Sequence, residues 1–330
     1  MKTEFKVCSL DMVDELIGFI DEHWRKDHIF TRDRKLFDWQ HKNGDQYNFV
    51  LAMRGKEIIA ILGFIPTSQF SKTLEDQKEA WLAIWKVRDD IRQPGLGLLM
   101  LKFLKKELDL KLICSLGLSK QVVPIYKALK YEVGILNHFA FFNQTISNFS
   151  LVQPPNNYLA AVEHTSFSYQ ILNENDSFNG LEHLFASHPK KDVTYIKNRY
   201  INHPVYKYEV VVIFEKNEPI SLFIYRVNNV DDVLIARIVD MQGESILDSR
   251  FNHVISDLVS DKGFDYIDIV TNINSDKNSG FRSNASDQFV IPNYFEPFEL
   301  KNISIDYAYQ TENPNVRIFR GDSDQDRPNL

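Results

Sequence analysis

The sequence predicts a mixed α/β protein built from two similar domains in tandem. Its 330 residues are too many for one ordinary compact unit and suit two domains of roughly 150 residues each. Apolar runs of strand length alternate with helix-period segments throughout. The order β-hairpin, β, helix, β occurs once in each half, which points to a duplicated architecture even though the residues of the halves are not obviously similar.

The first half opens with a helix over residues 11–24, where Met12, Val13, Leu16, Ile17, Ile20 and Trp24 recur at helical spacing behind an acidic first turn. Residues 49–53 and 58–65 are two apolar runs around Arg54, Gly55, Lys56 and Glu57, the pattern of a β-hairpin. Strand 80–87, a polar loop and a Leu- and Lys-rich helix over 98–110 follow. Strand 112–116, helix 122–129 and a closing strand over 135–142 complete this half.

Gln153, Pro154, Pro155, Asn156 and Asn157 have connector composition, since proline resists both helix and central strand. The domains are therefore expected to be 1–150 and 151–330. In the second, 178–185 reads as helix, 208–214 and 220–227 as a hairpin, 233–239 as strand, 246–259 as helix and 266–270 as strand. The polar, acidic tail over 321–330 reads as a solvated end.

Composition excludes several classes of function. With 44% hydrophobic, 13% aromatic and 25% charged residues, the chain can build packed cores and is neither disordered nor fibrous. A net charge of -7 gives no electrostatic reason to hold nucleic acid. Cys8 and Cys114 stand far apart, so neither a disulfide framework nor a metal site is expected, and both read as reduced core thiols. No apolar run suits a signal peptide or a membrane span, which makes the cytoplasm the expected compartment.

The chemistry concentrates between strand 80–87 and the following helix. There Arg92, Gln93, Pro94, Gly95, Leu96 and Gly97 form a strand-to-helix junction. Glycines let backbone approach a ligand, and the free N–H groups and dipole of a helix start attract an anion such as a diphosphate. The junction lacks the Lys and Ser or Thr of a nucleotide hydrolase loop and the three glycines of a dinucleotide fingerprint. Its bland alternative is a simple turn.

The junction resembles the coenzyme A loop of the GNAT acyltransferase superfamily: Arg or Gln, two residues, Gly, one residue, Gly or Ala. Arg92, Gly95 and Gly97 fill that pattern, Val87 ends the preceding strand, and Ile125, Tyr126, Leu129, Lys130 and Tyr131 resemble the superfamily's Leu-Tyr-x-x-Leu-Gly-Phe. Lys130 stands where the pattern has Gly, and Ser119 and Val122 where Asn and Ala are common. The resemblance covers residues 1–145 and implies acetyl-CoA or another acyl-CoA as co-substrate, with no metal. Trp85, Lys86, Val87, Arg92, Gln93, Pro94, Gly95, Leu96 and Gly97 are then the expected coenzyme contacts. In the second half, Asp240 and Glu244 occupy the corresponding strand end and would repel a diphosphate, so that domain is expected to be a degenerate GNAT-like unit serving acceptor recognition.

His23, Trp24 and His28, the segment from Arg199 to Pro204, and the ending from Gly321 to Pro328 are similar to tandem GNAT-type proteins of bacterial surface polysaccharide (lipopolysaccharide O-antigen or capsule) synthesis. This resemblance implies an amino-sugar acceptor, nucleotide-linked, with His28, Arg237, Asp322 and Asp324 as candidate substrate contacts between the halves. Direct transfer needs a donor to polarise the thioester, for which a strand N–H near Trp85 to Val87 is expected, and a proton for the thiolate, expected from Tyr126. His23 is the first candidate base.

Each of these residues also has a plainer reading. Tyr126 would be a packed aromatic, His23 and His28 structural histidines, His203 a turn cap beside Pro204, and Lys102, Lys105 and Lys106 a solvated helix face. Trp81 and Trp85 have the same strand parity and are expected to share a face, Trp81 as core. Two other functions compete: a non-catalytic tandem binding or scaffolding protein, and aminoacyl transfer from tRNA to peptidoglycan precursors, which the acidic charge disfavours.

Overall fold

The computed structural model describes residues 2–163, 165–285, 289–292, 299–313 and 315–328. Met1, His164, Asn329 and Leu330 are among those outside this range, so the last two positions of the acidic tail lie outside the described residues.

The chain divides into two units. The first comprises Met1–Val133, Tyr307–Pro314 and Arg327–Leu330, and the second Gly134–Asp306 and Asn315–Asp326. The border expected near residue 150 is therefore not where the sheets divide. The reason is an exchange of strands, which a linear reading of composition cannot detect.

The first sheet contains β1 (Glu4–Ser9), β2 (Lys42–Asn43), β3 (Gln46–Arg54), β4 (Glu57–Pro66), β5 (Glu79–Val87), β6 (Leu112–Leu116) and β7 (Glu132–Ile135). Its order is β1-β3-β4-β5-β6-β15-β7, with β2 beside β3, and the inserted β15 (Asp306–Gln310) comes from near the end of the chain. β3 and β4 are buried along nearly their whole length because both faces of the sheet are covered. On one face lie α1 (Val13–Phe19), α2 (Ile29–Arg32) and α3 (Arg34–His41), whose Leu16, Phe30 and Phe37 join Phe49, Leu51 and Ile61. On the other lies α4 (Leu96–Glu107), which seats Leu96, Met100, Leu101 and Leu104 against Val50, Ala52, Leu62 and Leu82. Burial of four such side chains is worth about 6–12 kcal/mol before entropic costs. α5 (Val123–Ala128) completes this unit and carries Tyr126.

The helical segment expected over 11–24 is present, but it closes with a wide turn in which the Arg25 N–H reaches Ile20 O, five residues back, at 3.0 Å. The closing strand expected over 135–142 is split. Residues 132–135 stay in the first sheet as β7, whereas β8 (Asn137–Phe142) enters the second.

The second sheet runs β14-β8-β13-β12-β11-β10-β9. Its strands are β9 (Phe167–Leu172), β10 (Glu209–Glu215), β11 (Glu218–Val230), β12 (Val233–Gly243), β13 (Tyr266–Thr271) and β14 (Arg282–Ser283), together with β8. The expected hairpin forms at Lys216 and Asn217, both at positive φ (50° and 72°), the geometry of a tight β-hairpin turn. The short α6 (Val193–Ile196) follows β9. Helix α7 (Asn252–Asp261) is shorter than the expected 246–259, and its Val254, Ile255, Leu258 and Val259 cover one sheet face. Residues 178–185 form turns and a single helical turn at Glu182–Leu184, not a full helix.

The two sheets match position for position. Each has a parallel pair at the matching place, β5 with β6 and β12 with β13, and in each the slot beyond that pair is filled by a strand from the other half of the sequence. The repeat inferred from element order is thus real in three dimensions. Both cysteines are buried thiols, and burial pushes the Cys8 thiol up to about 12. No helix among the described residues is long and apolar enough to cross a membrane.

Candidate active site

The first unit's site begins where two parallel strands part. β5 pairs with β6 only from Glu79↔Leu112 to Leu82↔Ser115. Immediately afterwards β5 bulges, because Leu82 opposes Phe64 while Trp85 opposes Leu62, one residue more on β5 than on β4. Beyond the bulge, Trp85, Lys86 and Val87 still pair with β4, and the Arg88 N–H donates to Ile59 O at 3.0 Å. Antiparallel alternation then turns the N–H groups of Trp85 and Val87 away from β4, into the opening left by β6.

The bulge also reverses side-chain parity. Ala80 and Leu82 face α4, and after the extra residue so do Trp85 and Val87. Trp81 and Trp85 therefore lie on opposite faces, contrary to simple counting. Trp81 is core, 1% exposed.

α4 starts at the Gly-x-Gly junction. Gly95 takes φ +77°, a left-handed conformation that side chains resist. Gly97 lies against the indole of Trp85 so closely that an added Cβ would stand 3.0 Å from Cζ2. The Leu99 N–H donates to Gly95 O and the Leu96 N–H to Gln93 O, which leaves the N–H groups of Gly97 and Leu98 without a protein acceptor among the described residues. Arg92 is exposed on the same loop and has no ion-pair partner among the described residues. Gln93 is tied by its side-chain oxygen to Thr3 and Arg54, Lys86 pairs with Asp89, Pro94 is exposed, and Leu96 is core.

These elements enclose a pocket of about 330 Å³ lined by Trp85, Val87, Gly95, Gly97, Leu98, Leu101, Val122, Ile125, Tyr126 and Leu129. The lining is almost wholly apolar. Tyr126 is 2% exposed and packs edge-on to Tyr131 at 4.9 Å. Its hydroxyl is buried and finds no well-formed hydrogen bond among the described residues, with Ser115 the polar side chain that bears on it. Burial pushes the phenol up to about 12. An unsatisfied buried hydroxyl costs about 1–3 kcal/mol, which makes its place in a pocket wall informative.

Lys130, which stands where the resembled motif has Gly, adopts φ +62° and so keeps a glycine-like backbone at some strain. Lys102, Lys105 and Lys106 form an exposed helix face, as the plain reading expects, and the Lys105 ammonium donates to Gln310.

The remaining candidates are not gathered at this pocket. His23 is half-buried, packs edge-on to Phe19 on the α1 side of the sheet, and lies near Asp90, whose carboxyl is held low chiefly by its hydrogen bond to Arg88. His28 is 2% exposed and caps α2, its Nδ1 accepting the Phe30 N–H at 3.3 Å, so it is a structural histidine and not a substrate contact. His203 likewise accepts the N–H groups of Val205 and Tyr206 on Nδ1, and burial pulls it down to about 3.

Arg237 is sealed in the core, donating to Pro292 O at 2.9 Å and standing 3.6 Å from Asp268, which also meets His138 at 3.1 Å. The described part of the tail, 321–328, is not solvated either. Asp322 pairs with Lys191 at 2.8 Å, Asp326 with Arg226 at 3.1 Å, and Asp324 is buried. Arg237, Asp322 and Asp324 thus serve internal ion pairs and packing. Their partners are scattered along the sequence, which is why composition alone suggested solvent.

Leu98, Leu101, Ile125 and Leu129 were not singled out from sequence as site residues. The available signal was their spacing, i and i+3 or i+4, on helix faces adjoining the glycine junction.

No protein-family model matches the chain, and no curated protein matches it in sequence. Among solved structures it is similar to a GCN5-related N-acetyltransferase from Anabaena variabilis, with a TM-score of 0.58 and 12% identity over 94% of this chain and 73% of that one. It is also similar to a GCN5-related N-acetyltransferase from Kribbella flavida (0.54, 11%, 94% and 71%). A third likeness is to a conserved protein of unknown function from Enterococcus faecalis (0.58, 8%, 94% and 72%). At these identities the likeness speaks to architecture. The chain carries the GCN5-related N-acetyltransferase fold in two tandem units.

Proposed function

We propose that the chain is an acyl-CoA-dependent N-acyltransferase whose coenzyme site is the pocket of the first unit. The observation that carries this reading is the parting of β5 from β6 directly beside a helix start with free N–H groups. An acyl-CoA needs three things from a protein, and the residues present fit each. The N–H groups of Gly97 and Leu98, with the α4 dipole and Arg92, suit the diphosphate. The apolar wall from Trp85 to Leu129 suits the pantetheine and acyl chain. The outward N–H groups of Trp85 and Val87 suit a thioester carbonyl, whose oxygen gains negative charge as the amine nitrogen attacks.

Tyr126 donates its proton to sulfur as the C–S bond breaks. His23, on the α1 side of the sheet and outside the pocket lining, is the candidate acceptor of the amine proton through solvent. The acceptor is a primary amine. An amino sugar, nucleotide-linked, rests on the sequence resemblance to surface-polysaccharide proteins, and no residue gathered at the pocket selects it.

The test is calorimetry with acetyl-CoA and longer acyl-CoAs, followed by thiol-release assays over a panel of amines that includes nucleotide-linked amino sugars and aminoacyl-tRNA. One acyl-CoA per chain and turnover with an amine are expected. Coenzyme binding with no turnover on any amine would favour a binding protein, and absence of coenzyme binding would overturn the reading.

A further inference from the structure

The second unit has the same cleft, and it is filled. β12 pairs with β13 from Ile235↔Tyr266 to Ile238↔Ile269, then bulges at once, since Tyr225 opposes Ile238 while Ile224 opposes Asp240. As in the first unit, four parallel pairs are followed by one extra residue on the strand that parts. Into it runs the chain's own segment 316–326. The Gly321 N–H donates to Val239 O on β12 at 2.7 Å, while Phe319 bridges Thr271 at the end of β13. The Asn272 N–H donates to Ile318 O, and the Asn272 side chain accepts from the Ile318 N–H and donates to Val316 O. The segment thus holds both lips of the opening, as an added strand would.

Its side chains are specifically received. Ile318 and Phe319 are buried, and Phe319 joins the main apolar cluster of the unit. The Lys191 ammonium lies between Asp240, at 2.6 Å, and Asp322, at 2.8 Å, and Tyr200 donates to Asp240. The Arg199 guanidinium donates to Gly321 O and Ser323 O, and Asp326 takes Arg226 and the Tyr208 hydroxyl. At Gly321 a Cβ would stand 2.6 Å from both Val239 O and the Tyr200 hydroxyl, so only glycine fits that close approach.

We propose that the sheet cleft of the second unit is a peptide-binding site whose resident ligand is the C-terminal segment 316–326, seated where the first unit takes its coenzyme. The site recognises an extended, apolar-then-acidic peptide through strand edges, an aromatic socket and buried cations. The equivalence of the clefts is geometric, and only the identity of the first unit's ligand rests on the acyltransferase reading.

Two measurements test this. In hydrogen exchange on the full chain, the amides of Ile318, Phe319 and Gly321 should exchange at least about 100-fold more slowly than an open chain, and Gly321→Val should abolish that protection. A chain ending at residue 313 should bind a synthetic peptide of residues 315–328 one to one, while the full chain does not. Open-chain exchange in the full-length protein overturns the proposal even if the shortened chain does not fold. So does protection retained in Gly321→Val, or equal peptide binding by full and shortened chains. Calorimetry run alongside separates the two readings: failure to bind any acyl-CoA would sink the acyltransferase proposal and leave the peptide site standing.

Discussion

Gly97 lies beneath the indole of Trp85, 3.0 Å from Cζ2 to the place where a Cβ would be, so the start of α4 and the bulged end of β5 share one surface. Gly97→Val should push the indole into the pocket. Overpacking of this kind costs about 1–3 kcal/mol, and coenzyme affinity should fall roughly tenfold or more. Calorimetry checks this, with a thermal melt to show that the fold persists.

Tyr126→Phe should leave acyl-CoA affinity nearly unchanged and lower turnover by about two to four orders of magnitude. The phenol is raised to about 12, so the protonated form is present at every pH below that value. Its contribution to stability is correspondingly full below the ordinary tyrosine range and lost only as pH rises through about 12. A pH–rate profile of the wild type should therefore show no fall attributable to Tyr126 up to pH about 11.

Lys130→Gly should stabilise the protein, by about 1 kcal/mol, because it relieves a non-glycine residue at φ +62°. Urea unfolding monitored by circular dichroism measures it. An unchanged midpoint would mean that the lysine side chain contributes contacts that offset the strain.

Lys191→Met should destabilise the second unit by about 3–5 kcal/mol at neutral pH, since Asp240 and Asp322 would be left as buried carboxylates without their cation. Burial raises Asp322 to about 6 even in the wild type. A raised carboxyl contributes most below its unfolded value and loses that contribution as pH climbs through about 6, so the loss in Lys191→Met should shrink between pH 7 and pH 5. Unfolding curves at both pH values test the sign.

A fragment of residues 1–150 should fail to unfold cooperatively. It lacks β15, so the edge of β6 is unpaired, while β8 carries Phe139, Phe141 and Phe142 with no second sheet to enter. Melting curves and light scattering of the fragment check this. Cooperative melting with acyl-CoA binding would refute it.

Local features were the legible ones. The hairpins, the strand ending at Val87, the Gly95 and Gly97 junction and the position of Tyr126 all follow from patterns spanning a few residues, and the structure brings the last three to one pocket. Long-range partners were not legible. Nothing adjacent to Asp322 signals Lys191, and nothing near Ile135 says that the next strand leaves for another sheet. The bulge after Leu82 escaped for a different reason, because one inserted residue reverses parity without any mark in the alternation itself. His28 and Arg237 show the converse error. Residue types suited to holding a substrate serve instead in capping and in a buried ion pair, a distinction that burial decides and composition does not.

The exchange of β8 and β15 also sets a timetable. During synthesis the N-terminal region emerges first and can collapse around β3, β4 and α4, but its sheet has a gap beside β6 until residues 306–310 leave the ribosome. Until then the nascent first unit carries an open strand edge, a hazard for pairing with neighbouring chains. The contacts that seal it span nearly 200 residues, from Cys114 to Tyr309, which places the slowest search at the end of folding. Expression at lower temperature, or with holdase chaperones that shield the waiting edge, should consequently raise the yield of folded protein more than any change to the mature surface.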